Sequence, residues 1–97
     1  METIEQLRRE YFVAHNEVEQ ARINVARLSS KLDEISGAAS SGRETTREIY
    51  SALASATDAA RQLLDILVAR RRAAASKLIS ACYAVGIVPT LTLNANK

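Results

Sequence analysis

Three consecutive arginines, Arg70-Arg71-Arg72, with Lys77 five residues beyond them, are the side chains in this sequence best equipped to bind a partner through charge. A guanidinium presents a rigid fork of N–H donors that matches carboxylate and phosphate, so such a cluster points to an anion: a nucleotide, a nucleic acid or an acidic protein. The last acidic residue in the chain is Asp65, so nothing downstream in the sequence neutralises these bases. A structural role competes with this one. Three successive helical positions sweep about 200° of the helix surface. At least one arginine must then lie at or beside a packed face, where it would cross to an acid such as Glu10 or Glu17. Nucleic acid is the weaker form of the anion reading, because the net charge is only +2 and aromatic residues do not interleave with the bases.

Catalysis finds no support in the same survey. The one histidine, His15, falls beside the apolar face of its helix, next to Asn16 and Glu17, and reads as a solvated helix-surface residue. No serine sits in a glycine-flanked nucleophile elbow. The acids Glu5, Glu19, Asp33 and Glu34 do not repeat with the Glu-x-x-His spacing of a helical metal site. No phosphate-cradling glycine loop is expected, since Gly37 and Gly42 bracket a turn between helices. The expectation is a protein that is not an enzyme, with no metal and no cofactor.

The other informative feature is apolar. Leu63, Leu64, Ile66, Leu67 and Val68 cover an arc of roughly 200°, wider than the ~100° stripe that one helix contact requires. A single neighbouring helix leaves part of that arc uncovered, so these five residues are the candidate surface for a second copy or for another protein.

The elements that carry these groups follow from periodicity. Ile4, Leu7, Tyr11, Ala14, Val18, Ala21, Val25, Leu28, Leu32 and Ile35 recur at alternating steps of three and four, the pattern of a helix packed lengthwise on another. Neither glycine nor proline occurs before Gly37, which stands where a C-terminal helix cap belongs. Ser41, three residues before Glu44, fits a capping box for a second helix. Its stripe reads Ile49, Leu53, Ala56, Ala60, Leu63 and Leu67, then drifts by one residue to Arg71, Ala74, Leu78, Ala81 or Cys82, and Val85, with Gly86 as terminator. The sequence therefore predicts an all-α, antiparallel helical hairpin over residues 1–86: a helix at 3–36, a turn at 37–42 and a helix at 43–85. Facing pairs would be Ala21 with Leu63, Val25 with Ala60, Leu28 with Ala56 and Tyr11 with Ala74. Within residues 87–97 threonine and leucine alternate over Thr90-Leu91-Thr92-Leu93, and the segment is expected to be an extended tail.

Composition bounds the rest. The apolar fraction of 47% overstates the core, because 17 of the 97 residues are alanine and each alanine buries little area. A chain this short has a thin core and needs a staple. The single cysteine, Cys82, forms no internal disulfide and suits a reducing compartment, so self-association into a four-helix bundle or larger homo-oligomer is the remaining means of support. No apolar run approaches the roughly 20 residues that span a bilayer, so the expected location is the cytoplasm, away from membranes. The expected function is a non-catalytic binding module that self-associates and engages a protein as adaptor, chaperone or inhibitor. The alternative is a binder of a nucleotide or nucleic acid through Arg70–Arg72.

Overall fold

The structure, a computed structural model, describes residues 3–39 and 44–88. They form two helices and no strand: α1, Ile4–Ala39, and α2, Glu44–Ala84, the two arms of a helical hairpin. The expected turn at Ser40-Ser41-Gly42, the capping serine Ser41 and the tail beyond Val88 lie outside the described residues.

Helix α1 opens on a capping box absent from the sequence expectations. The Gln6 N–H donates to Thr3 Oγ1 at 3.1 Å, and the Thr3 N–H donates to Gln6 Oε1 at 2.9 Å. Two backbone donors that the first turn would leave unsatisfied are thereby paired. The other end corrects the expectation at Gly37. The helix runs through Gly37 to Ala39, and Gly37 keeps a negative φ. Glycine disfavours a helix by only about 1 kcal/mol, and the alanines that follow are the best helix formers. A glycine within a helix is therefore no stop unless the chain turns there.

Gly86 is such a stop. Its φ of 75° lies in the left-handed region, the Ile87 N–H donates to the Cys82 carbonyl at 2.8 Å, and the Gly86 N–H donates to the Tyr83 carbonyl at 3.2 Å. This pair of reversed bonds is a Schellman cap, and it satisfies carbonyls that the helix end would otherwise orphan.

Burial along α1 follows the predicted heptads. Leu7, Tyr11, Ala14, Val18 and Ala21 are buried, and Ile4, Val25, Leu28, Leu32 and Ile35 are half-buried. On α2 the phase differs from expectation. Thr46, Tyr50, Leu53, Thr57, Ala60, Leu64, Leu67, Arg71, Ala74, Leu78 and Ala81 are withdrawn from solvent, stepping by four and three without any drift. Ile49, Ala56 and Leu63, expected on this face, are exposed, as is Val85. The pairs Ala21–Leu63 and Leu28–Ala56 therefore do not form in the core. The cause is the fixed geometry of the helix: a grid set by the buried leucines Leu67 and Leu78 lands on Thr57 and Leu64, not on their more apolar-looking neighbours. Thr57 tolerates a fully buried position because its hydroxyl donates to the Leu53 carbonyl at 2.7 Å, leaving the methyl group to pack.

The described residues divide into two compact units, one formed by residues 3–19 with 66–88, the other by those within Gln20–Asp65. In the first, Leu7, Tyr11, Leu78 and Cys82 make a buried cluster, with Ile4, Phe12, Ala74, Ala75 and Ala81 packed against it. Tyr11 and Phe12 meet edge to face at 5.5 Å. In the second, the buried residues are Ala21, Thr57 and Ala60; the larger side chains of its stripes, Val25, Leu28, Leu32, Ile35, Tyr50, Leu53 and Leu64, are only half-buried.

Candidate functional site

The arginine cluster separates on the cylinder as the helical repeat requires. Arg70 and Arg72 are exposed, while Arg71 occupies a position in the α2 stripe between Leu67 and Ala74, and its side chain is only 22% exposed. Arg71 crosses to α1, though to neither of the acids expected. Its Nη1 lies 3.3 Å from His15 Nδ1 and 3.9 Å from Glu19 Oε1. Glu19 follows His15 by four residues, so the two share one face of α1, which Glu10 and Glu17 do not. A guanidinium can only donate. His15 Nδ1 must therefore accept, which places the imidazole proton on Nε2.

His15 is thus no solvated bystander. It is half-buried, stacks on Tyr11 with ring centroids 6.2 Å apart, and links the aromatic pair to Arg71. Sequence reading missed this because a histidine flanked by Asn16 and Glu17 looks polar in one dimension. Its spacing of four from Tyr11 and four from Glu19 was the available signal.

Beside this network Tyr11, Val68, Arg71, Arg72 and Ala75 line a cleft of about 190 Å³. Val68, Arg71, Arg72 and Ala75 fall at steps of three, one and three, so they form one patch of α2, with Tyr11 entering from α1. Arg72 makes no hydrogen bond or ion pair with any described residue. Arg70 and Lys77 do not line this cleft, so the fourfold basic cluster contributes two members to it.

The five-residue apolar arc is likewise divided. Leu67 is core at 7% exposure, Leu64 and Val68 are half-buried, and Leu63 and Ile66 face solvent at 50% and 54%. A second apolar feature was not anticipated. In the Gln20–Asp65 unit, Lys31 and Ile35 of α1 and Ile49, Ala52, Leu53 and Ala56 of α2 line an open groove of about 440 Å³, nearly devoid of polar surface. The phase shift on α2 creates it: with Thr57 turned inward, Ile49 and Ala56 become a wall of the groove.

Among the described residues no three His, Cys, Asp or Glu side chains converge as a metal set, and no helix is long and apolar enough to cross a membrane. Comparison with protein-family models, with curated proteins and with solved structures finds no match to this chain.

Proposed function

We propose that this chain is a non-catalytic helical binding module that associates with a second copy of itself and, through the same kind of apolar surface, engages a protein partner as adaptor, chaperone or inhibitor. The observation that carries the reading is the open apolar groove of the Gln20–Asp65 unit. Two antiparallel helices bring two heptad stripes together there, yet among the described residues only Ala21, Thr57 and Ala60 are buried. Helical stripes of this length reach interior packing when further helices close the bundle. Ile49 at 50% exposure and Leu63 at 50% supply apolar area on the outer face of the same unit. A second hairpin laid against the groove would cover Ile35, Ile49 and Leu53 with side chains of its own that are equally in need of cover.

Sedimentation equilibrium across a concentration series tests the reading. The expected result is a dimer or larger species at micromolar concentration, converted to monomer by Ile49→Glu with helicity retained. A monomer mass at every concentration, with helicity independent of dilution, rejects it.

A further inference from the structure

We propose that the cleft bounded by Tyr11, Val68, Arg71, Arg72 and Ala75 binds a small organic anion, a phosphate or carboxylate carried on a flat apolar body. The walls divide the labour. Val68, Ala75 and Tyr11 contribute apolar lining, and Arg71 and Arg72 contribute the charged lining. An anion without an apolar body leaves the apolar lining wet; an apolar molecule without charge leaves the arginines unused.

Arg71 is the preorganised member. Both of its contacts use Nη1, held by His15 at 3.3 Å and Glu19 at 3.9 Å, so the N–H groups on Nη2 and Nε have no partner among the described residues. A guanidinium already fixed on one edge loses little side-chain freedom when it donates from the others. Glu19 balances part of the Arg71 charge, while Arg72 has no acid beside it. A ligand bringing one or two negative charges would complete the local balance, and no acidic side chain follows Asp65 in the sequence to compete with it.

Size is consistent with this class. At about 190 Å³ the cleft holds roughly six water volumes, room to seat a substituted benzene ring. The site belongs to the unit containing Tyr11 and Arg71, so it does not depend on self-association through the groove of the other unit.

Phenyl phosphate is the probe, titrated into the full chain at low ionic strength and followed by calorimetry and by the NMR signals of the Tyr11 ring and the arginine Nε–H groups. The expected result is saturable one-to-one binding, weaker for inorganic phosphate and undetectable for benzyl alcohol. Arg72→Gln, on an exposed residue, should preserve helicity and weaken binding about tenfold or more, the loss of one charge-assisted contact. Arg70→Gln removes the same charge one position away and should change affinity by less than about twofold, and Ile49→Glu should leave it unaltered. Three results would each overturn the proposal: no saturable binding, equal losses for Arg70→Gln and Arg72→Gln, or binding of a single-stranded oligonucleotide without binding of phenyl phosphate.

Discussion

Arg71 Nη1 reaches His15 Nδ1 across 3.3 Å, which ties a residue of the α2 stripe to one four residues beyond Tyr11 on α1. The bond runs in one direction only, because arginine has no acceptor to offer. Long-range ¹⁵N–¹H correlation of the imidazole should therefore show Nδ1 unprotonated and the proton on Nε2. The opposite tautomer would mean that this contact is absent in solution.

The same pair makes an energetic prediction. A partly exposed polar contact of this kind contributes at most about 1 kcal/mol. A double-mutant cycle of His15→Ala and Arg71→Gln, read by denaturant unfolding, should give a coupling of about 0.5–1 kcal/mol, stabilising in sign. Additivity of the two substitutions would show that the residues do not communicate.

Two glycines should respond to the same substitution with opposite signs. Gly37→Ala places a methyl group in open space within α1, where alanine is the better helix former, and should raise stability by about 0.5–1 kcal/mol. Gly86→Ala also meets no neighbour, but its φ of 75° penalises any side chain, so stability should fall by about 1–2 kcal/mol. If Gly37→Ala were the destabilising one, α1 would end at Gly37 instead of passing through it.

The phase of α2 is tested by adjacent leucines. Leu64→Ala removes a half-buried side chain and Leu63→Ala one that is 50% exposed, so the first should lower the thermal midpoint clearly more than the second. Leu67→Ala, at a position 7% exposed, should cost about 2–4 kcal/mol. A larger loss at Leu63 than at Leu64 would restore the phase expected from apolarity alone.

That phase marks the limit of what the sequence disclosed. On α1 each predicted heptad position is buried or half-buried, because nearly all of them carry a residue that is both apolar and large enough to stand out from its neighbours. On α2 the neighbours compete: Ile49 beside Tyr50, Ala56 beside Thr57, Leu63 beside Leu64. Choosing the more apolar or the first of each pair gives a stripe that must drift at Leu67, and the drift itself was the warning, since a rigid repeat has no reason to slip. The arginine that crosses to α1 was legible from the 100° helical increment. Its partners were not, because His15 and Glu19 become neighbours only once both helices have a rotation. The groove was invisible for the same reason: Ile35 and Ile49 come from different helices, and one residue of phase decides whether Ile49 faces the core or solvent.

Cys82, with no exposed surface, is the only thiol in the chain, and it sits in the cluster with Leu7, Tyr11 and Leu78. A bulky thiol reagent can reach it only through structural opening, so its labelling rate divided by that of an unfolded peptide measures how often this one unit opens. The residues Gln20–Asp65 contain no cysteine and contribute nothing to that signal directly. The molecule thus carries a built-in clock for half of itself. Labelling kinetics set against global unfolding would reveal whether a continuous pair of helices melts as one body or frays from the end that Gly86 closes.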